Sequence, residues 1–211
     1  MATRPEIGQH KRLRTRTALV EAAMRVFARL GPDTPVIGDF IAEAGVARGT
    51  FYNYFKTKEE LLIAVAAVIA DRIQAETRML RGLVDPADRV ACTVRLFIRQ
   101  AAADATWGWI IVRVALIAAP LGETMRADLA TDIADGIAAG RFQVAAPQVA
   151  YDLVLGAGLM GMRSVLRGEA APGHAEAVAR MLLLALGVAD AAEVAARPMA
   201  EADILARSPR A

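Results

Sequence analysis

The sequence predicts an all-α protein: a small three-helix head of helix-turn-helix type at the N-terminus, continued by a larger helical bundle. Three observations carry this expectation. Alanine and leucine are abundant, while β-branched runs bounded by turn residues are scarce. Apolar residues recur every three or four positions between glycine and proline stops. Two short helical segments lie on either side of Gly45 near the N-terminus, the pattern of a helix-turn-helix.

Helix 1 is expected from about Thr15, because Leu19, Ala22, Ala23, Val26, Phe27 and Leu30 share one stripe; Gly31 and Pro32 stop it. Residues 1–12 read as a polar, basic arm. Helix 2 turns Ile37, Phe40, Ile41 and Ala44 inward and closes at Gly45. Helix 3 covers roughly 47–54. On it, Arg48, Gly49, Tyr52 and Asn53 share a presented face, while Phe51 points back toward Phe27 and Phe40. The mixture of aromatic and basic residues in "VARGTFYNYFKTKEEL" (46–61) thus resolves into two faces of one helix. "TKEE" (57–60) fits a capping box, so a further helix starts at Lys58 and runs to about residue 81. Lys58 in that first turn opposes the helix dipole unless an anion docks there. Later helices are expected at 87–104, 106–120, 121–139, 147–167 and 173–186, with short terminal pieces.

The chain has 211 residues, 55% hydrophobic, with mean hydropathy +0.35, so a sizeable core is expected and disorder is not. Its net charge of +2 is unevenly placed. Through Lys58 there are ten Lys/Arg against five acids, net +5; the remainder carries 15 against 18, net −3. A basic head on an acidic body points to a polyanion partner for the head alone. One cysteine, Cys92, excludes an intrachain disulfide framework and a Cys-rich zinc site, and fits an intracellular, cytoplasmic protein. The N-terminus lacks the apolar core of a signal peptide. The apolar run 61–70 is too short to span a bilayer, so no membrane partner is expected. His10 and His174 have no ligands at metal spacing. "GAGLMG" (156–161) follows no strand and is not a dinucleotide fingerprint. No metal, cofactor or catalytic group is expected, and hence no enzyme.

"RTALVEAAMRVFARLG" (16–31) and "GDFIAEAGVARGTFYNYFKTKEELL" (38–62) resemble the DNA-binding domain of the TetR family of transcriptional regulators. The resemblance covers about a quarter of the chain. It implies a DNA-binding domain over 1–57 and a helical ligand-binding and dimerisation domain over 58–211. It also implies a homodimeric repressor on a palindromic operator, released by a small-molecule effector whose identity the sequence does not give. Arg48 and Gly49 would approach bases; Thr50, Tyr52 and Tyr54 would contact backbone or base edges; Asn53 would face the groove and Lys58 would bind phosphate. Three departures stand out: Val36 replaces the usual hydroxyl cap of helix 2, with Thr34 a candidate substitute; Ala47 offers helix 3 no cap; and Ile41 takes a small-residue position.

In the body, "TWGWIIVRV" (106–114) suggests either plain core or a pocket lined by Trp107, Trp109 and Arg113, with Phe97, Met125, Phe142 and Met160 as further lining. Arg113 in an apolar run needs a partner, either a ligand or Asp104 or Asp128. Small residues at 156, 157, 158 and 161, with apolar "AVARMLLLAL" (177–186), suit the last two long helices packing against their copies in a dimer. The competing reading is an all-helical carrier or enzyme that uses its helix-turn-helix for protein contact.

Overall fold

The computed structural model describes residues 4–115 and 119–198, with side chains from Gln9 to Ala115 and from Arg126 to Pro198. Among these residues ten α-helices follow in order: α1 (Arg4–Leu30), α2 (Ile37–Ala44), α3 (Arg48–Tyr52), α4 (Lys58–Thr77), α5 (Pro86–Ala103), α6 (Ala105–Val114), α7 (Ala119–Ala138), α8 (Pro147–Leu166), α9 (His174–Ala185) and α10 (Ala191–Ala196). There is no strand among the described residues. A 3₁₀ turn, Arg78–Gly82, tightens the end of α4 where a single helix to residue 81 was expected.

α1 begins far earlier than expected. The basic segment predicted as an arm is helix, because it is rich in Arg, Lys, Gln and Leu, and Pro5 falls in the first turn, where a missing N–H costs nothing. Gly31, Gly45 and Gly140 take positive φ (82°, 63° and 66°), so three helices stop at the glycines the sequence marks.

Helix starts are capped by what lies nearest. Thr57 Oγ1 accepts from Glu60 N at 3.2 Å. Glu60 Oε2 reaches back to the Lys56 N–H (2.7 Å), one residue before the cap. At α2, Thr34 is not the substitute cap; Asp39 Oδ2 accepts from the Val36 N–H at 2.8 Å. Ala47 gives α3 no side-chain cap.

The head packs α1, α2 and α3 around Phe27, Phe40 and Phe51, each 0% exposed, with the Phe27 and Phe40 rings 5.0 Å apart. The same apolar core continues without a break into the body. α5 runs through the middle of the body, packed by α6, α7, α8, α9 and α10. Its buried Arg95 donates to the carbonyls of Ala195 (2.7 Å) and Arg197 (3.0 Å), which satisfies both the cation and the end of α10. Arg141, just after α7, bonds Asp85 (2.9 Å) and Asp190 (2.5 Å), tying the start of α5 to the start of α10. That guanidinium holds the Asp190 carboxyl below the usual carboxylate range.

Candidate DNA-reading face and effector cavity

α2 and α3 meet across the left-handed Gly45, whose N–H and that of Val46 are taken by the carbonyls of Ala42 and Ile41. This fixes the angle of α3. Phe51 is buried, while Arg48, Gly49, Tyr52 and Asn53 are exposed, and Thr50 and Tyr54 are half-buried. The Arg48 guanidinium lies 5.9 Å from the Tyr52 ring centre, so the ring supports it along the presented face. Lys58 is not idle: its Nζ donates to the Asp33 carbonyl at 2.8 Å, pinning the loop before α2 to the start of α4. Two further ammonium protons remain for a phosphate. Lys11, Arg12, Arg14 and Arg16 lie exposed along the early turns of α1, and Arg16 covers the Phe55 ring at 5.5 Å. A cleft lined by His10, Arg12, Leu13, Arg16, Asn53 and Tyr54 runs between that helix and the end of α3.

The pocket residues expected from the tryptophan-rich stretch are not brought together. Trp107 is buried and stacks on Phe97 (5.6 Å, 12°), with the Arg72 guanidinium over its ring at 5.5 Å. Its indole N–H has no partner among the described residues. Trp109 lies under the Arg113 guanidinium at 4.5 Å. Neither expected carboxylate meets Arg113: Asp104 caps α6 and pairs with Arg72, and Asp128 pairs with Arg81. Arg113 Nη1 instead donates to the Ala28 carbonyl in α1 at 2.5 Å, a bond between body and head. Phe142 is 3% exposed and its ring fills the space above Gly136. Met160 is 51% exposed on the outer face of α8. Met125 lies outside the residues whose side chains are described.

A cavity of ≈ 80 Å³ does exist, between α4, α5, α7 and α8, and of the expected residues whose side chains are described only Phe97 lines it. Its walls are mostly apolar, among them Ile73, Val94, Leu129, Leu159 and Met162. One end is polar. Arg89 Nε donates to Asp132 Oδ1 at 2.7 Å and Nη2 to Asp135 Oδ2 at 2.5 Å, while Nη1 reaches the Leu83 carbonyl at 3.1 Å. Thr77 Oγ1 donates to the Ile73 carbonyl at 2.9 Å. Burial pushes the Asp132 carboxyl up from its ordinary value, against the opposing pull of Arg89. Sequence reasoning missed this end because its partners lie 43 residues apart, on α5 and α7. Among the described residues no cluster of three or more His, Cys, Asp or Glu could hold a metal.

Residues 19–65 match the family model described as bacterial regulatory proteins, tetR family, and residues 85–197, more than half the chain, match the tetracyclin repressor-like C-terminal domain. The chain belongs to the TetR family. The repressor LfrR of Mycolicibacterium smegmatis is 36% identical over 86 residues, 41% of this chain and 44% of LfrR. The regulator BetI of Rhizobium meliloti is 29% identical over 98 residues, 45% of this chain and 48% of BetI. The matched stretch thus spans about half the length of these curated TetR-type relatives. Over nearly the whole fold, the crystal structure of RolR in complex with resorcinol is similar: TM-score 0.68 and 28% identity, covering 90% of this chain and 97% of RolR.

Proposed function

We propose that the chain is a ligand-responsive DNA-binding transcriptional regulator, most simply a cytoplasmic repressor that binds a palindromic operator as a homodimer. Residues 1–57 would read DNA, and 58–211 would bind the effector and the second copy. The observation that carries this reading is the exposed face of α3, with Arg48, Gly49, Tyr52 and Asn53 side by side and basic α1 alongside. A β-carbon at Gly49 would meet nothing within 4 Å, so internal packing does not demand glycine there. Close approach of the backbone to another surface does. Membership in a family of regulatory proteins supports the same reading, and RolR's complex with resorcinol supports a small effector.

The second copy would cover the outer faces of α8 and α9. Val149, Leu153, Gly156 and Met160 form one exposed stripe on α8, and Ala177, Met181 and Leu184 form another on α9. α8 is long and apolar enough to cross a bilayer by length and composition. Its inner face packs on α5, α6, α7 and α9, and a helix sandwiched between protomer core and a second copy has the same composition. With two-fold symmetry, the two α3 helices enter major grooves at half-sites about one helical turn (~34 Å) apart. A ligand in the cavity touches α4 through Ile73 and Thr77, and α4 starts at the head. It shifts DNA affinity only as far as it binds the two head spacings differently.

The test is operator binding with salt. Arg48→Ala should cost about 1–3 kcal/mol on the selected operator and relax the preference at one base pair, with little change on random DNA. Lys58→Ala should weaken both alike and lower the salt slope by about one per subunit. Equal loss of specificity from both would show that the groove-facing residues are misassigned. DNA binding that is neither sequence-selective nor salt-dependent would favour the carrier or enzyme reading.

A further inference from the structure

We propose that the cavity takes a compact, neutral ring compound bearing a hydroxyl, whose O–H donates to Asp132 with Thr93 beside it, and that the site rejects anions. This rests on the reading of the chain as a ligand-responsive regulator and names the chemistry of its effector.

Size sets the first limit. At ≈ 80 Å³ the cavity is smaller than the ~150 Å³ that holds benzene in a dry engineered site. One ring fits if a flexible wall such as Met162 gives way. The Phe97 ring supplies an aromatic wall, already held by its stack on Trp107.

Hydrogen bonding sets the second. Asp132 uses Oδ1 for Arg89. Among the described residues its Oδ2 has no hydrogen-bond partner, and neither does the Thr93 hydroxyl, yet both residues line the cavity. A carboxylate that burial has left short of stabilising donors gains from one more O–H. The charges at this end already favour acid: the three carboxylates of Asp128, Asp132 and Asp135 are paired with only two guanidiniums, Arg81 and Arg89. An anionic ligand would therefore add its charge to an end where carboxylates already outnumber cations. A neutral hydroxyl adds none.

Isothermal titration calorimetry on the whole chain, with phenol and benzoate as probes, reads this directly. Phenol should bind wild type at least about tenfold more tightly than benzoate. Asp132→Asn keeps an acceptor for Arg89 but removes the charge; it should cost phenol about tenfold, as a charged acceptor exceeds a neutral one. It should also raise benzoate relative to phenol, an inversion that loss of packing alone would not produce. Thr93→Val, nearly isosteric, should weaken phenol several-fold with an unchanged melting curve. Benzoate binding wild type as well as phenol, a phenol-to-benzoate ratio unmoved by Asp132→Asn, or no phenol binding to a cooperatively folded wild type would each overturn the proposal. The readout involves no DNA. Phenol binding without operator binding would sink the regulator reading alone, and operator binding without phenol binding would sink this inference alone.

Discussion

Phe51→Ala is expected to unfold the N-terminal three-helix head while leaving the body folded. Phe51 is 0% exposed and is the only side chain of α3 that is buried. Its ring centre lies 6.2 Å from that of Phe55 and 5.5 Å from that of Tyr52, the latter pair nearly perpendicular, so it ties α3 both to the turn that follows and to the residue presented on its outer face. Emptying such a site costs roughly 3–5 kcal/mol. α2 and α3 are short and bury one side chain each, Phe40 and Phe51, in the core they share with the body, so a loss of that size approaches all that holds α3 in place. The melting curve should split, with an early transition carrying away a minor part of the helical signal, and operator binding should vanish. Tyr52→Ala, at a 43% exposed position, should leave the melting curve within about 0.5 kcal/mol of wild type and still impair DNA binding. A Phe51→Ala chain that melts like wild type and keeps its operator affinity would mean that α3 is not held by its aromatic face.

That head was legible in the sequence because its determinants are local. Thr57 and Glu60 are three residues apart, Gly45 sits between the two helices it separates, and Phe51 and Tyr52 are adjacent, so a rule about spacing reaches all of them. Helix positions in the body were legible for the same reason, through Gly140 and Pro147. The cavity was not. Its polar end needs Arg89 of α5 beside Asp132 of α7, and nothing in the intervening chain records that meeting. Arg113 misled for a related reason. It did need a partner, but the partner is a backbone carbonyl in α1, 85 residues away, and every residue has a carbonyl, so composition cannot point to it. The basic arm misled in another way: residues 1–12 were read as lying outside the helix, although Arg, Lys and Gln are good helix formers and extend α1.

α8 shows where periodicity itself fails, and it yields the last expected result. The helix is apolar nearly all round, so the pattern does not say which face turns outward. Gly161 in the small-residue stretch looked like a dimer contact. It points inward: a β-carbon there would lie 2.6 Å from Ile98 Cδ1 and 3.5 Å from Val178. Gly161→Glu should therefore damage the protomer, by overpacking and by burying a charge, and should produce aggregates rather than clean monomers. The outward stripe is the better probe. Leu153 is 41% exposed and Met181 63% exposed, on α8 and α9 respectively. In the double variant Leu153→Glu, Met181→Glu, each protomer keeps its core, so its helical signal should match wild type. Across a two-fold interface the same patch meets itself, so the new carboxylates face one another with no water to screen them. Sedimentation should then give a monomer. Operator affinity should fall by about 100-fold or more, because linking two half-site contacts is worth roughly that much without any new contact. A double variant that remains dimeric at micromolar concentration and binds the palindrome like wild type would place the second copy on some other surface.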